Sequence, residues 1–248
     1  MKRLLLYLLL VIVLVVGIVL ARAPASLIEQ ALATVPDASL VATRGTLWAG
    51  RGSLNVANTH LGQLTWEVAP AALLGGSLSA DWTLQGNGLD LAGSADVGLN
   101  AASALADGRI ERNLLNQVLA AYDIEVESDL TLTSIALEIS AIDSGKPVLE
   151  ALSGRVSSQA GGVRYWLAGQ SDSAQLPPLN AELSNAAGSA IAEVTAQGDS
   201  AVLMRLGLDP TGLGRVAVTK RFTEMLGRPW SGRDPSHAVV IEVQEQLF

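Results

Sequence analysis

Apolar side chains recur at every second position over much of this chain, and that period decides what it can fold into. Leu64, Trp66 and Val68 share one parity, as do Leu78, Ala80, Trp82 and Leu84. Gln63, Thr65, Glu67, Ser77, Ser79, Asp81, Thr83 and Gln85 occupy the other. Strands turn successive side chains to opposite faces, so this alternation predicts half-buried strands of an antiparallel sheet with one wet face. Trp48, Leu54 and Val56 follow the same rule in a first strand. Leu89, Leu91, Gly93, Ala95, Val97 and Leu99 form a long strand after Gly86-Asn87-Gly88, whose Asn-Gly pair suits a tight loop and makes 77–100 a hairpin. Further alternating runs lie at 148–156, 163–167, 190–196, 202–208 and 239–243, separated by Gly, Asn, Ser and Pro clusters.

One run breaks phase. Between 123 and 142, Ile124, Val126, Leu130 and Leu132 are apolar at even positions, but Ile135, Leu137 and Ile139 are apolar at odd ones. A one-residue slip turns every side chain over, so the pattern predicts a β-bulge near Thr133-Ser134 that restores the apolar face.

Helical spacing is confined to short stretches. Ser26-Leu27-Ile28-Glu29 has capping-box form and opens a short helix to about Ala33, stopped by Pro36. Pro70 to Gly75 suits a single helical turn or a tight crossover. Ile110, Leu114, Leu115, Val118, Leu119 and Tyr122 predict an amphipathic helix with Asp107 as its N-cap, and Gly227 closes another over 220–226. The expected fold is therefore mainly β: a large antiparallel meander of about ten strands, curled or groove-shaped or split into two packed sheets, with two or three short helices. Aromatic residues make up only 4% of the chain, so Leu, Val and Ala must fill its apolar face.

Leu4 to Ala21 carries no charge and would span about 27 Å as a helix, close to a bilayer core. It is expected to be an N-terminal transmembrane helix. Only Lys2 and Arg3 precede it, which places residues 1–3 in the cytoplasm and sends the rest across the membrane. Ala21-Arg22-Ala23 resembles a signal-peptidase site, but Pro24 would follow the cut and the apolar run exceeds an ordinary signal core. The expected layout is an anchor at 4–21, a juxtamembrane helix and linker at 22–39, and an exported β-rich domain at 40–248. Residues 24–248 hold all 24 acidic residues but only 13 of the 16 basic ones, a net charge of about −11 that repels phosphate backbones and argues against nucleic-acid binding. With no cysteine, the fold has no disulfide to rely on.

Residues with chemical potential are scattered. His60 and His237 sit in no metal-spaced cluster. Glu125, Glu127 and Asp129 could share a strand face and gather calcium, but no glycine-bearing calcium loop accompanies them, so a solvated acidic face is the simpler reading. No G-x-S-x-G elbow marks a nucleophile, although distant residues could still assemble a triad. Lys220, Arg221, Arg228 and Arg233 read as a local basic patch or helix-end decoration. Trp48, Trp66 and Trp82 share their strands' apolar parity and are assigned to the core, whereas Trp230, in a loop with Pro and Arg, is the surface candidate. The expectation is a protein without cofactor or metal, and not an enzyme.

Two segments carry a resemblance. Gly45-Thr46-Leu47-Trp48-Ala49-Gly50-Arg51 is followed by Leu64, Trp66, Pro70, Leu73, Leu74, Gly76 and Leu78 in fixed spacing, behind a single apolar span. This arrangement resembles the type II secretion system protein N family of Gram-negative bacteria, most closely over 41–84. The resemblance implies a single-pass inner-membrane accessory subunit with its domain in the periplasm, aiding export of folded exoproteins through contacts with other inner-membrane and periplasmic secretion subunits. It also implies that these motif residues are structural. An aliphatic sheet face anchored at the inner membrane is similar as well to AsmA-like envelope proteins, which implies the alternative of lipid held in a groove.

Overall fold

The structure is a computed structural model and describes residues 23–32, 38–56, 59–70, 76–144, 147–167, 170–228 and 230–246. The expected span at 4–21, the stop at Pro36 and most of the expected turn at 70–75 lie outside them. No helix among the described residues is long and apolar enough to cross a membrane.

Sixteen strands occur among the described residues, and the chain divides into two compact units, Met1–Asn87 and Gly88–Phe248. The first unit holds helix α1 (Ser26–Leu32) and strands β1 (Ala38–Gly45), β2 (Ala49–Val56), β3 (Thr59–Ala69) and β4 (Leu78–Gly86), paired antiparallel in chain order. Leu40, Trp66, Val68 and Ala25 form its buried core, with Ile28, Leu32, Trp48, Leu54, Leu64, Leu78 and Ala80 packed around them. Trp66 stands opposite Trp82, which is half-buried. Thus Trp66 and Trp48 join the core as their parity predicts. Ser26 is the first helical residue rather than the cap, and the Glu29 carboxylate accepts from the Thr43 hydroxyl at 3.0 Å, linking α1 to β1.

In the second unit the large sheet runs β5 (Leu89–Val97), β6 (Ala101–Ile110), β8 (Leu130–Ser140), β9 (Val148–Ser158), β12 (Leu179–Ala186), β13 (Ser189–Ala196), β14 (Val202–Leu208), β15 (Leu213–Thr219) and β16 (Val239–Gln246). From β12 onward every strand pairs with the next in the chain. A separate three-stranded sheet joins β7 (Ile124–Val126), β10 (Gly161–Leu167) and β11 (Gln170–Leu176). Asn87 and Gly88, both at positive φ, make the predicted turn before β5, which ends at Val97; Leu99 is 92% exposed and belongs to no strand.

The bulge lies where the phase change puts it. Pairing of β8 with β9 jumps from Thr133 to Ala136, and pairing with β6 jumps between Ala106 and Gly108. Ser134 takes a φ of +50°, and Leu132, Ile135 and Leu137 all remain half-buried. Asp107, expected to cap a helix, instead belongs to β6, and its carboxylate accepts the Ser134 backbone N–H at 2.7 Å. Helix α2 covers Arg112–Leu119, so Ile110 is strand and the following turn Ala120–Tyr122 is a 3-10 helix. The N-cap is Glu111, whose side chain makes no capping bond; Asp129 accepts the Arg112 N–H at 2.9 Å in its place. Helix α3 (Lys220–Met225) is capped by Thr219, and Gly227 follows it at φ +73° as predicted. Thr219 is buried and donates to the Leu203 carbonyl at 2.8 Å, which satisfies its hydroxyl beside the nearly inaccessible Leu203.

Candidate functional site

Residues 45–51 fold into a turn that fastens several segments at once. Thr46 and Ala49 exchange backbone and side-chain bonds: Thr46 N–H donates to the Ala49 carbonyl at 2.9 Å, and the Thr46 hydroxyl accepts from Ala49 N–H at 3.2 Å. Leu47 N–H donates to the Ala23 carbonyl at 2.8 Å, and Pro24 bridges to Thr46, so the first described residues are held against this turn. The Trp66 indole N–H donates to the Thr46 carbonyl at 3.3 Å, and Val68 N–H donates to the Trp48 carbonyl at 2.6 Å.

Glycine is required at two of these positions. Gly45 has a φ of +103°, and a Cβ there would meet the Ala49 carbonyl oxygen at 2.5 Å. A Cβ on Gly50 would lie 2.5 Å from Cζ2 of Trp66, so the ring lies directly on the bare backbone. The turn thus brings Gly45, Thr46, Leu47, Trp48, Gly50 and Trp66 together, with Leu64 and Leu78 packed on the same core. Arg51 is exposed opposite Arg44, Pro70 is exposed at the end of β3, and Gly76 has a φ of +81°. Leu73 and Leu74 lie outside the described residues. Nothing in the turn is placed to exchange a proton or attack a bond; its groups satisfy one another.

The acidic trio does not share a strand face. Glu125 lies in β7 and pairs with Arg164, Glu127 accepts the Gly162 N–H at 2.9 Å, and Asp129 accepts from Arg109 at 3.0 Å as well as from Arg112. The Arg109 side chain and then the Arg112 N–H hold the Asp129 carboxyl below the usual carboxylate range. Among the described residues, no group of three or more His, Cys, Asp or Glu side chains is placed to hold a metal. His60 contacts Asn55 at 3.0 Å, and His237 is exposed.

The basic residues near α3 act as ties. Lys220 donates to the Gly232 and Asp234 carbonyls at 3.0 and 2.9 Å, Arg221 pairs with Asp199, and Arg228 reaches Asp172 at 2.6 Å. The Asp172 carboxyl is held low, first by the Ser173 N–H and then by Arg228. Trp230 is 41% exposed, as its loop predicts.

Two features of the second unit arise only from the way its strands come together. An apolar cavity of about 400 Å³ lies beneath α2, lined by Leu114, Leu115, Leu119, Val126, Leu130 and Leu176 among others, with Ser128 and Ser158 as its polar members. Its lining comes from strands far apart in the chain, which no local periodicity reveals. The other is β16, which ends the sheet with Val239, Ile241 and Val243 exposed. Its alternation was legible; its terminal position was not.

A mainly β protein of sheet-built units, in which ion pairs such as Arg109–Asp129, Arg221–Asp199 and Arg228–Asp172 tie segments together and β16 edges the large sheet, has the makings of a contact module. A sequence model of type II secretion system (T2SS) protein N matches residues 36–231, and the chain belongs to that family. The family is one of secretion-machinery components, not of enzymes. No curated protein and no solved structure matches the chain.

Proposed function

We propose that this protein is an accessory subunit of the type II secretion machinery, held in the inner membrane by residues 4–21 with its β-rich part in the periplasm. It aids export of folded exoproteins by touching other secretion subunits, and it turns over no substrate. The family match over 36–231 carries this reading. The uncharged run and the basic pair Lys2-Arg3 ahead of it support the topology, and the mutual satisfaction of groups in the 45–51 turn supports a structural role for those residues. Deletion of the gene should trap a secreted enzyme in the periplasm, and restoring the full chain should release it. Normal export in the deletion strain would refute the reading.

The cavity beneath α2 favours a second reading, in which the subunit holds lipid. Its lining is almost wholly aliphatic, and a space of about 400 Å³ is within the range of small-ligand pockets. Native mass spectrometry of the full chain should then find co-purified phospholipid that is lost when Leu115→Trp fills the space. Loss of lipid with export intact would separate this activity from secretion.

A further inference from the structure

The two faces of the large sheet are written in continuous rows, and both rows stop at β16. On one face Arg155 stands opposite Glu182, Glu182 opposite Glu193, Glu193 opposite Arg205, Arg205 opposite Ala217, and Ala217 opposite Glu242. Arg155 pairs with Glu182 at 2.5 Å, Arg205 pairs with Glu193, and Arg215 reaches Glu242 at 3.3 Å. The row therefore ends in a carboxylate on the last strand. On the other face Val156, Ala181, Val194, Met204, Val218 and Ile241 stand in one row. Burial along it falls away from Val194, at 6% exposure, to Ile241 at 41%. Val243, in the next row, is 55% exposed.

These side chains are exposed because no described strand pairs with the outer edge of β16. An edge strand leaves alternate N–H and C=O groups pointing outward, which is the template for an added strand. Protein edges are commonly blunted by proline, by charged side chains, lysine above all, or by a bulge, and the charges on β16 are the two carboxylates Glu242 and Glu245. The β16 register slips once, between Thr219 and Val218, and then runs evenly from Ile241 to Gln246 with neither proline nor lysine. A second copy of the chain is a poor occupant, because face-matched antiparallel self-pairing sets Glu245 against Val239, Ile241 or Val243, and at the first of those registers also sets Glu242 against itself.

We infer that the outer edge of β16 takes an extended segment of a partner protein as the next strand, with Lys or Arg in the row of Glu242 and apolar residues in the rows of Ile241 and Val243. This rests on the contact-subunit reading above. Backbone bonds supply attachment, and the alternation of basic and apolar residues supplies selectivity.

The test uses the full chain in detergent and two synthetic nine-residue peptides alternating Val with Thr, one carrying Lys at the central Thr position and the other Glu. The Lys peptide should slow hydrogen exchange of the 241–246 amides and bind about fivefold more tightly than the Glu peptide. Glu242→Lys, on an exposed face, should reverse that preference, and a backbone N-methylated Lys peptide should not bind. Equal binding of both peptides, unchanged exchange in β16, or a dimer through β16 that Glu242→Lys strengthens would each overturn the inference. In cells, a Glu242→Lys chain that fully restores export to a deletion strain would count against the edge while leaving the secretion reading intact. A deletion strain that exports normally would remove that reading whatever the peptides do.

Discussion

Gly50 lies flat beneath the indole of Trp66: the space a Cβ would need is 2.5 Å from Cζ2 of the ring and 2.8 Å from the Arg44 carbonyl oxygen. The ring cannot retreat freely, since its N–H is bonded to Thr46 and its other side belongs to the core. Gly50→Ala should therefore cost about 1–3 kcal/mol by overpacking, and Trp66→Ala about 3–5 kcal/mol by emptying the core. Urea denaturation of both variants checks this, and a neutral Gly50→Ala would show that the ring is free to move.

The bulge in β8 is held from both sides. Gly154 on β9 has a φ of +127°, and a Cβ there would meet the Ile135 Cα and the Ser134 carbonyl oxygen at 2.7 Å. Gly154→Ala should destabilise by about 1–3 kcal/mol. Asp107→Ala, which frees the Ser134 N–H on an exposed face, should cost about 1 kcal/mol. A larger loss for Asp107→Ala than for Gly154→Ala would contradict this ranking.

Asp129 ties Arg109 to the start of α2, and its carboxyl titrates below the ordinary 3.8. A depressed folded pKa stabilises the folded state above the unfolded value and loses that contribution as pH falls through the folded one. Asp129→Asn should therefore unfold at lower temperature than the parent at pH 7, with the gap closing below about pH 4. A gap that persists at pH 2 would assign the effect to packing.

The charge row on the large sheet is an exposed one. Arg205 and Glu193 have side chains 59% and 40% accessible, so their pair should contribute no more than about 0.2–1 kcal/mol in a double-mutant cycle and less in high salt. A larger coupling would mean that the row acts as a network.

Much of the architecture was legible because Val, Ile, Leu and Trp announce a two-residue period. The bulge at Ser134, the Asn87-Gly88 turn and α3 followed from phase, turn chemistry and a closing glycine. Strand β6 was hidden because its inward positions are Ala102, Ala104 and Ala106, too small to stand out, and because Ile110 could be counted into the helix beyond it. Strand β1 was hidden by its register break between Val41 and Arg44, where Ala42 has a φ of +55°. Strand β11, QSDSAQL, has almost no apolar signal. Of the site, the 45–51 turn was visible as a string, but Asp129 serving a helix 17 residues earlier was not, since it acts across the fold rather than along the chain.

From β12 to β16 each strand meets its partner in the next stretch of chain to emerge. Three of the four connections are the short loops 187–188, 197–201 and 209–212, and the fourth, 220–238, is shortened by α3, so the entropic penalty for each addition is small and growth can proceed by accretion. A polypeptide delivered unfolded, one end first, could assemble this part as it arrives, with no cysteine to oxidise and no distant segment to await.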